Sequence, residues 1–116
     1  MITELGKQLR IIRIEKGELL RDMASKLGIT SAYLSSIENG KRKPTKEFIN
    51  NLLNVYHLSE IEEERIIDGF YKTIEEIRIS YEDISDEKLD LGLAFARKFN
   101  ELSSDEVKKI KKILNK

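Results

Sequence analysis

Between Arg21 and Gly40 the chain reads R-D-M-A-S-K-L-G-I-T-S-A-Y-L-S-S-I-E-N-G, and this stretch constrains the fold more than any other. Met23, Ala24 and Leu27 fall at i, i+1 and i+4, one face of a short helix. Gly28 follows the last of them, where a chain leaving a helix often needs a positive φ that glycine adopts cheaply. Thr30 is placed to cap a second helix, its hydroxyl accepting from the free N–H groups of the first turn. Ile29 before that cap and Leu34 after it are spaced as a hydrophobic staple. Leu34 and Ile37 point inward, and Asn39-Gly40 ends the helix. The stretch reads as two short helices joined by a tight turn.

Ser31, Ala32, Tyr33, Ser35 and Ser36 face away from the apolar pair. A helix face of short hydroxyls and one tyrosine, without Glu or Lys, is unusual for a solvated surface. It suits close approach to base edges in a DNA groove. The plainer reading is a small-residue face that packs on another helix.

The run M-A-S-K-L-G-I-T-S-A-Y-L-S-S-I-E-N-G-K-R-K-P resembles the helix-turn-helix signature of Cro/CI-type (Xre-family) transcriptional regulators. The resemblance covers roughly Leu5 to Leu58, about half the chain. It rests on Met23-Ala24 in the first motif helix, Gly28 in the turn, Ile37 to Gly40, then basic residues and Pro44. The chain departs from the family where a Ser or Thr cap followed by Gln usually opens the first motif helix. Leu19 and Leu20 stand there, and Arg21 is the nearest substitute for the phosphate-bracing Gln.

The resemblance implies an all-α chain: a five-helix lambda-repressor-like DNA-binding domain over residues 1–78, plus a C-terminal helical extension over 79–116. Ser31, Ala32 and Ser36 fall where the family's recognition-helix side chains usually meet base edges. Tyr33 and Ser35 are neighbours within reach of bases or phosphate. Asn39, Lys41, Arg42 and Lys43 fall where the family meets phosphates, and Thr30 and Arg21 join that set.

Charge is distributed to match. The net charge is zero, yet residues 1–57 hold 10 Lys/Arg against 6 Asp/Glu, and residues 58–116 hold 11 against 15. A front half at +4 and a back half at −4 point a phosphate-binding surface one way. The 116 residues make one domain, or a domain with an appendage. With no Cys there is no disulfide framework or thiolate metal site, which fits a reducing cytoplasm. One His builds no metal cluster, and no cofactor or metal is expected. No apolar run approaches the ~20 residues that span a bilayer. Met1-Ile2-Thr3-Glu4 opens straight into an amphipathic helix, so no signal peptide is expected.

Taken in order, Leu5, Leu9 and Ile12, with Ile11 as a further candidate, line a first helix over 3–16, closed by Gly17. Lys7, Arg10, Arg13 and Lys16 recur every three residues, either as a solvated basic stripe or with Arg10 and Arg13 flanking the DNA backbone. Lys41, Arg42, Lys43 and Lys46 crowd the start of a helix capped by Thr45, where a helix dipole disfavours cations. Their placement makes sense if a phosphate comes to that end. Phe48, Ile49, Leu52, Leu53 and Tyr56 line that helix, with His57 expected to cap its last carbonyls. Ser59 and Glu62 are spaced as a capping box for a helix whose stripe runs Ile61, Ile66, Ile67, Phe70, Tyr71, Ile74 and Ile77. The acidic run Glu62-Glu63-Glu64 reads as a solvated face.

Residues 78–84 alternate weakly, with apolar side chains at Ile77, Ile79 and Tyr81, and read as a linker or as an edge that pairs with a partner. Ser85 caps a helix expected over 86–100, with Ile84 and Leu89 as its staple. Ser103 and Glu106 form another box before a last helix, with Leu102 and Val107 as staple. Leu89, Leu93, Phe95, Phe99, Val107, Ile110 and Leu114 are apolar positions on these two helices. A five-helix domain already closes its own core, so these faces need another partner. A second copy is the simplest, since most soluble oligomers are symmetric dimers; the rival is that these helices fold back on their own domain or grip a different protein.

The expected function is a dimeric double-stranded DNA-binding regulator, a repressor. The alternative is an antitoxin-like regulator whose C-terminal helices bind another protein. An enzyme is disfavoured: Ser85 and Lys88 stand three apart, but Ser85 is better explained as a cap, and no catalytic constellation stands out.

Overall fold

Each helix begins at a hydroxyl or carboxylate that satisfies its free N–H groups, and burial then selects which helices pack. A computed structural model of the chain describes residues 1–80 and 82–115. The described residues form α1 (Glu4–Lys16), α2 (Leu20–Leu27), α3 (Ser31–Glu38), α4 (Lys46–Val55), α5 (Glu60–Ile74), α6 (Asp86–Lys98), a 3-10 turn (Phe99–Glu101) and α7 (Ser104–Leu114). No strand occurs among them, so the chain is all-α as expected. They fall into two compact units, Met1–Ile77 and Arg78–Lys116.

The first unit holds the core. Leu5, Leu9 and Ile12 of α1 meet Met23, Ala24 and Leu27 of α2, Leu34 and Ile37 of α3, Phe48, Ile49 and Leu52 of α4, Tyr56 beyond it, and Ile66 and Phe70 of α5. Removing each large side chain from water contributes roughly 1.5–3 kcal/mol. α1 packs most extensively on α5 and also on α3, while α2 bridges α3 and α4. α5 closes the far side: the Leu5 N–H donates to Thr73 Oγ1 at 3.1 Å, and that hydroxyl donates to the Gly69 carbonyl at 2.7 Å.

α1 approaches the end of α3 so closely that a Cβ on Gly6 would lie 2.4 Å from the Glu38 carbonyl oxygen. The Thr3 N–H and hydroxyl both donate to that same oxygen, at 2.8 and 3.2 Å.

Several expectations change. Ile11 is exposed, so the large apolar side chains on the inner face of α1 are Leu5, Leu9 and Ile12. Arg13 is neither a solvated cation nor a surface one; it is buried. Ile61 and Ile67 stay exposed on α5, and Ile77 lies outside the helix, 73% exposed. The helix stops at Ile74, with Glu75 left-handed at φ 57°. Thr73 sits level with the first turn of α1, so later residues run past the surface that would cover them. His57 lies beyond the end of α4, exposed, with no hydrogen bond to a carbonyl among the described residues. Residues 78–80 and 82–84 form no strand, and Tyr81 lies outside the described residues.

The second unit begins with Ser85, whose hydroxyl accepts from the Lys88 N–H at 3.2 Å. α6 ends at Lys98 rather than Asn100, and Phe99–Glu101 tightens into a 3-10 turn. The Phe95 and Phe99 rings lie 5.3 Å apart. No residue of α6, the turn or α7 is buried. Among the described residues, no helix is long and apolar enough to cross a membrane.

Candidate nucleic-acid interface

α2 and α3 meet through a turn built on backbone chemistry. Gly28, at φ 70°, lets its own N–H reach the Ser25 carbonyl and lets the Ile29 N–H reach Ala24, at 3.2 and 3.0 Å. Thr30 Oγ1 accepts from the Tyr33 N–H at 3.0 Å and starts α3. Ile29 is half-buried against the core cluster to which Leu34 belongs. At the start of α2, Leu19 has no acceptor to offer. Asp22 compensates by accepting from the Leu19 N–H at 2.8 Å, and Arg21 is exposed at the helix start.

The outward residues of α3 divide into two groups. Ser31 and Ala32, in its first turn, are exposed, while Tyr33, Ser35 and Ser36 are half-buried. The half-buried hydroxyls are engaged locally. Ser36 Oγ donates to the Tyr33 carbonyl at 2.6 Å, and the Asn39 side-chain amide donates to the Ser35 carbonyl and Oγ at 2.9 and 3.3 Å. Thr30 accepts through its oxygen and keeps its hydroxyl hydrogen for another acceptor.

A cationic loop follows. Lys41, Arg42 and Lys43 are exposed, and buried Pro44 pins the loop to the domain. Thr45 caps α4 by accepting from the Phe48 N–H at 3.0 Å, and Lys46 opens that helix, exposed. Among the described residues no carboxylate pairs with Arg21, Lys41, Arg42, Lys43 or Lys46. Five positive charges thus stand around the start of α2, the end of α3 and the start of α4 without internal neutralisation. The Arg42 guanidinium lies over the Tyr33 ring, 5.5 Å from its centre.

Arg10 behaves differently. Its Nε is 3.5 Å from Glu38 Oε1, so its charge is shared inside the domain. Arg13 goes further: its two terminal nitrogens donate to the two Glu38 oxygens at 2.5 and 3.0 Å. Glu38, 2% exposed, is therefore the residue that ties the end of α3 to α1. Sequence reasoning missed it. The available signal was one acidic residue in an otherwise uncharged α3, facing arginines spaced three apart on α1.

A second polar knot braces the connection before α2. Glu18 accepts from the Tyr56 hydroxyl at 2.6 Å and from Lys26 Nζ. Burial opposes Glu18 ionisation, but the hydrogen bonds from Lys26 and Tyr56 win and hold its pKa below the usual glutamate value. Burial, then the hydrogen bond to Glu18, push the Tyr56 pKa up. Among the described residues no group of three His, Asp or Glu is placed to hold a metal.

Comparison with known proteins adds to this geometry. The family model described as a helix-turn-helix domain matches residues 4–66, which takes in α1 to α4 and the first half of α5. The HTH-type transcriptional regulator DdrOP3 of Deinococcus deserti is 34% identical over 56 residues, 48% of this chain and 43% of that protein. The chain therefore spans less than half the length of that curated relative. No solved structure matches.

Proposed function

Since the chain belongs to the helix-turn-helix domain family, we propose that it is a double-stranded DNA-binding transcriptional regulator, a Cro/CI-type repressor acting in the cytoplasm as a homodimer. In this reading residues 1–78 bind DNA and residues 79–116 pair two copies. α3 enters the major groove by its first turn. Ser31 places a hydroxyl, and Ala32 a methyl suited to a thymine methyl, at base edges, with Ser35 and Ser36 deeper in the contact. Arg21, Lys41, Arg42, Lys43 and Lys46 meet phosphates, and the Thr30 hydroxyl and the Asn39 amide complete that ring. Arg10, shared with Glu38, adds least.

The observation that supports this most is the exposed first turn of α3 together with five cations, at the start of α2, beyond α3 and at the start of α4, that no carboxylate among the described residues neutralises. Short reading side chains give modest base discrimination, so the phosphate contribution dominates. Two α3 helices about 34–36 Å apart would read successive major-groove faces of a palindrome. The test is affinity for a duplex selected from a random pool, measured against salt. Each neutralised phosphate steepens the slope of log K against log salt by about 0.9. A steep line is expected, and a flat one refutes the phosphate contacts.

A second reading has α6 and α7 bind a different protein. It draws on the same uncovered side chains, Leu93, Phe95, Phe99, Val107 and Leu114. A stable hetero-complex among the products of the native operon favours this second reading, and a symmetric homodimer favours the first.

A further inference from the structure

Among the described residues, Arg42 is the one cation around α3 that lies over an aromatic ring. The chain reverses at Gly40, and the N–H groups of Lys41 and Arg42 both donate to the Ser36 carbonyl, at 2.9 and 3.2 Å. The Arg42 backbone is thus fixed to the last turn of α3. Tyr33 is also held, half-buried with its ring packed against the core. Its backbone is held twice, its N–H by Thr30 Oγ1 and its carbonyl by Ser36 Oγ. A rigid ring and a rigid backbone together confine a side chain that would otherwise sample many rotamers.

The other aromatic–cation contacts have a different character. Lys16 and Lys26 lie over Tyr56 at 5.9 and 5.3 Å, and Lys26 is also neutralised by Glu18. Among the described residues no carboxylate pairs with Arg42, so its charge is held in place and left unspent.

We propose that Tyr33 is a positioning residue: its ring presents the Arg42 guanidinium to a duplex phosphate, and it acts on DNA through Arg42 rather than by touching a base. The proposal rests on the DNA-binding reading above. A planar guanidinium held over a ring loses less freedom when it grips phosphate, and it offers several donors in a fixed fork.

The test uses the full chain and compares a selected duplex with a random one across a range of salt. Tyr33→Leu is expected to weaken both duplexes alike, by about two- to fivefold, the range of an exposed cation–π contact. Tyr33→Phe keeps the ring and retains wild-type affinity. In the Arg42→Ala background, Tyr33→Leu changes affinity no further. Arg42→Lys keeps the charge but loses the planar face. It is expected to lose a similar factor when Tyr33 is present and none when position 33 is Leu. If Tyr33→Leu is too unstable to assay, Arg42→Lys in the wild-type background, with its expected loss, and Tyr33→Phe, with none, still test the proposal, because neither alters the core.

A Tyr33→Leu loss confined to one base pair, or one that persists in full without Arg42, overturns the proposal and makes Tyr33 a base reader. Arg42→Ala without effect on a wild type that binds steeply with salt overturns the proposal and leaves the DNA-binding reading standing. A wild type that ignores every duplex at low salt removes both.

Discussion

The capping boxes at Ser59/Glu62 and Ser103/Glu106 have the same chemistry, and the helices they start have different fates. In each, the Glu side chain accepts from the Ser N–H, at 2.9 and 3.0 Å, and the Ser hydroxyl accepts from the Glu N–H at 3.2 Å. α5 then buries Ile66, Gly69 and Phe70, while α7 buries nothing. The difference lies in what each helix has to lie on. α5 covers α1 inside a unit with its own core. α6 and α7 belong to a unit of about 40 residues, a size at which a chain without disulfides or metals usually needs another copy to close a core. Local hydrogen bonds decide where a helix begins, and only a facing surface decides whether it is buried.

The largest expected effect probes the closed side of that contrast. Glu38→Ala leaves the buried Arg13 guanidinium without its carboxylate and cuts the tie between α3 and α1. Removing one partner of a buried ion pair costs about 3–5 kcal/mol. Denaturant unfolding followed by signals from residues 1–77 should lose stability of that size. A loss below about 1 kcal/mol means the pair is solvated and the first unit is less closed than its burial suggests.

The next effect probes the open side. Phe99→Asp places a charge on an apolar face that is 49% exposed at that position. Since no described residue of α6, the 3-10 turn or α7 is buried, it should leave the unfolding of residues 1–77 unchanged. It should weaken pairing by about 1.5–3 kcal/mol, the worth of one buried aromatic or aliphatic side chain. Sedimentation reads this as a shift from dimer to monomer at a concentration where the wild type is paired. An unchanged mass for Phe99→Asp means the face is not where copies meet. A wild type that is monomeric throughout leaves the second reading, a different partner, as the occupant.

The same contrast shows what could be read from the sequence. Every cap that sequence spacing placed at Thr30, Thr45, Ser59, Ser85 and Ser103 carries its hydrogen bond. These contacts span three residues, so the chain encodes them locally. The Arg13–Glu38 pair spans 25 residues and exists because Gly6 lets α1 come within reach of the end of α3. Nothing in a three-residue spacing of arginines distinguishes one aimed inward from one in water. Ile77 fails for a related reason: its periodicity continues after the helix beneath it has ended. At the interface, helical spacing shows which side chains face outward on α3. It does not show that Ser36 donates its hydroxyl to its own helix or that Ser35 Oγ accepts from Asn39, because that depends on rotamers and on Asn39.

The smallest effect compares the two capping boxes directly through pH. The Ser59 backbone N–H first, then its hydroxyl, hold the Glu62 carboxyl below the ordinary glutamate value of 4.5, and Ser103 does the same for Glu106. A depressed carboxylate pKa means the folded form favours the charged state. The stability it contributes is therefore complete above pH 4.5 and is lost as pH falls through the lower folded value. The amide resonances of Ser59 and Ser103 should report midpoints below 4.5 in the wild type. Glu106→Gln should keep the start of α7, since Gln also completes a capping box, and erase the acid response of Ser103 alone. Packing on α1 holds α5 after its box protonates, whereas α7 has only its cap and whatever covers its apolar face. Helical signal from α7 should therefore fade at a higher pH than that from α5. If the two fade together, a partner surface already holds α7 as firmly as α1 holds α5, and the contrast between the units belongs to the isolated chain alone.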